Sequence, residues 1–180
     1  MKYLVLLTLA AAAILAVGAG RARATEVGSS RTFGLGFQIG DPTAITSKVF
    51  VGGGNAFDFG LGFGGYGYYW CEDANGHTYR CNDFHHNISV HADYLYEEHI
   101  VNMTNRLDWY AGFGGRLIVP TYGSNDLGHD VGILARVPIG LAATFRRPSF
   151  LEAYLEIAPA IAFPWLEFAL DVGLGVRAYF

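Results

Sequence analysis

The stretch LEFALDVGLGVRAYF, residues 166–180, alternates large apolar side chains with small or charged ones. Leu166, Phe168, Leu170, Val172, Leu174, Val176 and Phe180 fall on one parity, and Glu167, Asp171, Gly173, Gly175 and Arg177 on the other. Successive side chains of a strand point to opposite faces, so this pattern predicts a strand with one apolar face and one face of glycine and charge. Because the alternation runs through to Phe180, the strand is expected to pair along its whole length rather than fray as most chain ends do.

The same pattern occurs seven times upstream. Phe33, Leu35, Phe37 and Ile39 oppose Gly34, Gly36 and Gln38. After the turn signal Asp41-Pro42-Thr43, Ile45, Val49 and Val51 oppose Thr46 and Lys48. Beyond the turn at 52–55, Phe57, Phe59, Leu61 and Phe63 oppose Asp58, Gly60 and Gly62. Strand four sets Ile88, Val90, Tyr94 and Tyr96 against Asn87, Ser89, His91 and Asp93. Strand five, about 107–119, sets Leu107, Trp109, Phe113 and Leu117 against Asp108, Tyr110 and Arg116. Strand six, about 131–145, sets Ile133, Val137, Ile139 and Leu141 against Arg136 and Thr144. In strand seven Leu155, Ile157 and Ile161 oppose Glu152 and Glu156. Pro138 and Pro159 cannot donate to a ladder, which predicts bulges where strands six and seven meet, or a shifted register.

Eight such strands suggest a closed sheet. Large apolar side chains from every strand would overfill a narrow interior. Turned outward they form a lipid-facing band, and glycine with isolated charges fills a thin polar lumen. The expected fold is therefore all-β: an eight-stranded antiparallel up-and-down transmembrane β-barrel, its lumen plugged by polar side chains. The lumen set is Lys48, Asp58, His91, Asp93, Asp108, Arg116, Arg136, Glu152, Glu156, Glu167, Asp171 and Arg177, with Glu97 on the same parity. Opposite charges held this closely can form charge-assisted hydrogen bonds.

Composition fits this reading. Aromatic residues make up 15% of the 180, and mean hydropathy is +0.25, yet beyond residue 24 no apolar run is long enough for a membrane helix. Residues 1–24 combine Lys2, a long apolar run and the small residues Ala22 and Ala24, which predicts a secretory signal peptide cleaved after Ala24 rather than a membrane anchor. The domain is then 25–180. Losing Lys2, Arg21 and Arg23 leaves nine basic against 16 acidic residues, a net charge of −7. That balance argues against nucleic acid as a partner. With both chain ends on the periplasmic side, the polar connections around 71–81 and 121–130 are expected outside the cell. Aromatics gather at strand ends, Tyr66, Tyr68, Tyr69 and Trp70 above and Tyr94, Tyr96, Trp109 and Tyr179 below, as interfacial girdles do.

The pieces GLGFQIGDPTAITSKVF (34–50), HADYLY (91–96), VPIGLAATFR (137–146), FLEAYLEIAPAIAF (150–163) and VGLGVRAYF (172–180) together resemble an uncharacterised family of small bacterial outer-membrane barrels, similar in build to the OmpA and OmpX type. Ala44 stands where that family favours glycine. The resemblance implies export through the periplasm to the outer membrane, with contact to its lipid, including lipopolysaccharide. It also implies that Leu174, Val176, Ala178 and Phe180 serve as a signal read by the outer-membrane assembly machinery. The loops could hold an extracellular ligand.

Two clusters invite sharper readings. Cys71 and Cys81 bracket one connection, and an oxidising export route predicts a disulfide; a metal set of Cys71, His77, Cys81, His85 and His86 fits no standard spacing. Ser89, His91 and Asp93 share a face, as in enzymes that remodel lipid A with Ser and His. Residues two apart on a strand are roughly 6.5 to 7 Å apart, too far for nucleophile and base to touch. The expectation is a structural or surface-interaction barrel, with no catalytic residues, metal or cofactor. A lipid A-modifying enzyme and a narrow channel are the alternatives.

Overall fold

The computed structural model describes residues 27–28, 30–64, 66–72, 75, 77–84, 87–102, 105–120, 131–163 and 166–180; of 66–72, 78–84, 102 and 120 it describes the backbone. The expected leader, 1–24, and the connection 121–130 lie outside these residues. Among the described residues there are eleven strands: β1 (Phe33–Asp41), β2 (Thr43–Gly52), β3 (Asn55–Phe63), β4 (Tyr66–Glu72), β5 (Thr78–Phe84), β6 (Asn87–Asn102), β7 (Arg106–Pro120), β8 (Gly132–Arg136), β9 (Ile139–Thr144), β10 (Leu151–Phe163) and β11 (Glu167–Tyr179). Nine of them form one antiparallel up-and-down sheet, and β4 pairs with β5 in a separate hairpin.

The large sheet closes on itself. β11 pairs on one side with β10 and on the other with β1, where Gly34 faces Tyr179 and Asp41 faces Val172. From β1 the ring runs through β2, β3, β6 and β7, and then through β8 and β9 to β10. Its lower end carries the tight turn at Gly53 and Gly54, whose φ values of 62° and 79° suit glycine. Its upper end carries the Asp41-Pro42 turn.

The ring has nine strands where eight were expected, and the prolines explain the difference. β8 and β9 are the two halves of the single strand expected at 131–145. Both pair with β7 and with β10, so they lie end to end between the same neighbours. Against β7, Arg136 faces Gly114 and Ile139 faces Ala111; against β10, they face Ala160 and Ile157. The spacing across the break is two residues on every strand, so register continues through Val137-Pro138 without a bulge. The ladder lapses there because Pro138 and Pro159 bring no N–H. Their carbonyls still accept, Pro138 from Gly112 N and Pro159 from Val137 N, each at 2.9 Å. Register irregularities occur instead near the lower end, between Phe50 and Gly52 and between His99 and Val101.

Side-chain direction follows the period of two. Phe33, Phe37, Phe59, Leu61, Val90, Phe113, Ile133, Leu155, Phe168 and Leu174 are exposed on the outside, and the charged parity is buried within. Tyr179, expected among the outward aromatics, instead points inside and is fully buried. The interior also holds Phe50, Leu95, Tyr110, Leu134 and Tyr154, so it is not polar throughout.

Inward glycines supply the width these side chains need. A Cβ on Gly60 would strike the His91 ring, one on Gly140 the Tyr110 ring, one on Gly175 the Tyr154 ring, and one on Gly173 the Gln38 amide. In each case a long side chain lies across the glycine of a neighbouring strand. Overpacking typically costs about 1–3 kcal/mol, so Gly140→Ala and Gly175→Ala are expected to lower stability by about that much. Gly132→Ala, whose Cβ would meet only ordinary contacts at 3.5 and 3.8 Å, is expected to stay within about 0.5 kcal/mol. Urea midpoints of the three variants in detergent check the contrast.

Candidate functional site

The interior polar residues form arginine-centred clusters. Arg136 contacts Glu156 at 2.5 Å, Asp171 at 3.0 Å and Asp93 at 3.3 Å. Arg116 joins the same group through Asp171 at 2.7 Å and approaches Asp41 at 3.6 Å. Tyr110 donates its hydroxyl to Glu156 at 3.0 Å. Four strands, β6, β8, β10 and β11, thus meet at one guanidinium, because residues of inward parity on all of them face the same narrow space.

A second cluster surrounds Arg177. Its guanidinium pairs with Asp58, reaches Glu152 at 3.5 Å, donates to Thr46 at 3.3 Å and stacks 3.9 Å from the Tyr154 ring centre. Tyr154 donates to Gln38 at 3.1 Å and shares a further hydrogen bond of 3.1 Å with Thr46; Tyr179 donates to Glu152 at 3.1 Å. Nearer the lower end, Lys48 pairs with Glu97 and lies 4.7 Å from the Phe50 ring and 5.2 Å from that of Tyr110. Asp108 binds Arg106 at 2.8 Å and His99 at 2.9 Å, both partners being partly exposed.

Burying charges costs several kcal/mol per ion, which contacts offset only when they are close and numerous. Each arginine at a cluster centre here touches two or three carboxylates, and Asp171 is shared between Arg116 and Arg136. Buried acids nevertheless outnumber buried bases: Asp58, Asp93, Glu97, Asp108, Glu152, Glu156 and Asp171 against Lys48, Arg116, Arg136 and Arg177. Chemically this arrangement is a cross-brace between strands distant in sequence. It ties β2 to β6, β3 to β11 and β8 to β10 and β11.

A family model described as "Protein of unknown function (DUF3996)" matches residues 24–177. The chain belongs to this family. No curated protein matches the sequence. Among solved structures, the chain is similar to the N-terminal beta-barrel domain of Pseudomonas aeruginosa OprF, with a TM-score of 0.52 and 16% identity. The likeness covers 82% of this chain and 95% of that one, and it concerns the fold alone.

Within this DUF3996 chain the inward set occupies one continuous interior, except that Glu167 is only half-buried near the upper end. Ser89, His91 and Asp93 are all buried on the inner face, with Asp93 turned to Arg136 and His91 lying across Gly60. The side chains of Cys71 and Cys81, and with them the expected disulfide and the alternative metal set, lie outside the described residues. On the closing strand Leu174, Val176 and Phe180 are exposed, whereas Ala178 is buried, facing Leu35 on one side and Leu151 on the other. Sequence reasoning passed over Gln38, Thr46, Tyr110, Tyr154 and Tyr179 as partners in the charge clusters. Their inward parity was the available signal; in Tyr110, Tyr154 and Tyr179 the aromatic ring obscured it, and in Gln38 and Thr46 the lack of charge did.

Replacing the hub arginine leaves several buried carboxylates without a counter-charge. Arg136→Leu is expected to cost about 3–5 kcal/mol. Arg106→Leu, at a side chain 39% exposed, is expected to cost about 0–1 kcal/mol. Equilibrium unfolding in urea from detergent or lipid, scored where the transition is reversible, separates the two.

Proposed function

We propose that this protein is an integral outer-membrane β-barrel with a structural or surface-interaction role. The observation that carries the reading is the inverted distribution of polarity: large apolar side chains stand exposed on every strand of the ring, around a buried network of ions. A ring with this exterior in water would expose apolar surface far beyond what monomeric soluble proteins tolerate. In a bilayer the same surface meets acyl chains, and closure leaves no backbone edge unsatisfied. Counting β8 and β9 as one interrupted strand gives eight positions, an even number suited to such barrels. β10 and β11, of 13 residues each, exceed the 9–11 tilted residues needed to cross. β6 and β7, with 16 and 15 residues, extend farther at the lower end.

In this reading residues 1–24 direct export and are removed, the lower end faces the periplasm, and the β4–β5 hairpin with the 121–130 connection faces outward. The partners are membrane lipid including lipopolysaccharide, the assembly machinery acting on the closing strand, and any ligand held at the outer loops. The buried carboxylates and aromatic rings plug the lumen, so a wide aqueous pore is not expected.

Fractionation is expected to recover the mature chain with outer membranes, migrating differently on gels before and after heating. Recovery as a soluble protein overturns the reading. Leu174→Arg is expected to cost about 2–4 kcal/mol in lipid vesicles if residue 174 lies near the midplane, while Leu174→Ile is nearly silent. A tolerated arginine at 174 means that this face does not meet lipid.

A further inference from the structure

The segment preceding β1 enters the lower end of the ring. Val27 is 4% exposed and belongs to one apolar cluster with Phe50, Leu95, Tyr110 and Tyr179. Gly28, with φ of 90°, donates its N–H to Arg31 O at 2.9 Å, and a Cβ there would rest 3.5 Å from the Phe50 ring. The chain is therefore turned sharply at this point and laid against Phe50. Three links hold it. Arg106 Nη1 donates to Val27 O at 3.3 Å, Arg31 Nη1 donates to Tyr179 O at 3.1 Å, and Phe50 N donates to Thr32 O at 2.8 Å. Two of the anchors lie on strands remote in sequence, β7 and β11.

Nothing in the ladder requires this segment. β1 begins at Phe33 and makes its full set of pairs with β2 and β11 without it. What Val27 does instead is cover the apolar floor beneath the Lys48–Glu97 pair: Phe50 and Tyr110, its partners in the cluster, both lay their rings against the Lys48 ammonium. We infer that the stretch around Val27, Gly28 and Arg31 is a detachable cap that seals the lower end of the lumen and keeps Lys48 from water.

A consequence rests on the proposed leader. Three Cα–Cα steps separate Ala24 from Val27, so an uncleaved leader would begin within roughly 10 Å of the lower mouth. Its apolar run, drawn into a membrane or a detergent micelle, would pull on the chain beside Val27 and keep that residue from seating. Cleavage would then do more than release the chain: it would free the cap to close, so that sealing follows processing.

The composition provides a probe. The whole sequence has two lysines, Lys2 and Lys48, so a chain beginning at Thr25 has Lys48 as its sole side-chain amine. The folded mature protein in detergent is treated with a water-soluble acylating ester, and modification of the Lys48 peptide is followed by mass. Val27→Asp is expected to raise the Lys48 rate at least tenfold, and Val27→Ile to leave it unchanged, with heat-modifiable migration retained in both. If Val27→Asp does not fold, Val27→Ala serves, with a severalfold rise expected. The leader-bearing chain, whose Lys2 peptide has a different mass, is expected to resemble Val27→Asp. Equal Lys48 rates in the mature protein and in a folded cap variant overturn the cap. A fast variant with a slow leader-bearing chain retains the cap and overturns its coupling to processing. Because the measurement is made in detergent, it stands apart from fractionation, which tests the membrane reading.

Discussion

Residues Gly34 to Asp41 of β1 pair with Tyr179 back to Val172 of β11, and this seam turns an open sheet into a ring with a narrow inside. Once the ring is closed, inward side chains from strands that never pair are forced into one space. Their volume and their charge must then be settled against one another. The volume is settled by glycine: His91, Tyr110, Tyr154 and Gln38 each lie over a glycine of the adjoining strand, where a methyl group would collide. The charge is settled by sharing, with Arg136 and Arg177 each placed among several carboxylates.

Those two settlements are linked. An arginine can reach acids on other strands only because the positions it crosses carry no side chain, as at Gly36, where a Cβ would run into the Arg177 stem. Aromatic residues extend the network, since Tyr110, Tyr154 and Tyr179 each present a ring to the apolar part of the interior and a hydroxyl to a polar partner. The result is a core in which ionic and apolar contacts interleave. It is braced across the ring more strongly than hydrogen bonding between neighbouring strands alone could achieve. Breaking a buried pair strands a charge, so such a core is sensitive to single substitutions at its hubs.

The two chain ends are joined in the same way. Phe180 donates its N–H to Phe33 O, their rings are 6.5 Å apart, and Arg31 reaches Tyr179 O beside them. The seam, the segment before β1 and the lower floor of the lumen therefore form a single structural unit. This gives the lower end a different character from the upper one, where the polar turn at Asp41 lies near Arg116.

Much of this was legible in the residues themselves. Strand periodicity is local, so parity separated Phe37, Leu61 and Leu174 from Lys48, Asp58 and Arg177, and the bulk of the apolar set, too great for a narrow interior, put it outside. The proline pair announced trouble between strands six and seven, but not its form. Only the neighbouring strands reveal that register passes through Val137-Pro138 unbroken. Tyr179 shares the inward parity of Asp171 and Arg177 and is buried with them; its place near a strand end, which suits an interface as well as a core, is what suggested the outward girdle. The hairpin of β4 and β5 was expected as a loop, since its own sequence lacks the sustained alternation of the ring. The sequence by itself determined which face each strand shows to its surroundings. The tertiary structure decided which charge meets which, how the interrupted strand is continued and where Val27 lies, because those contacts join residues that come together only when the ring closes.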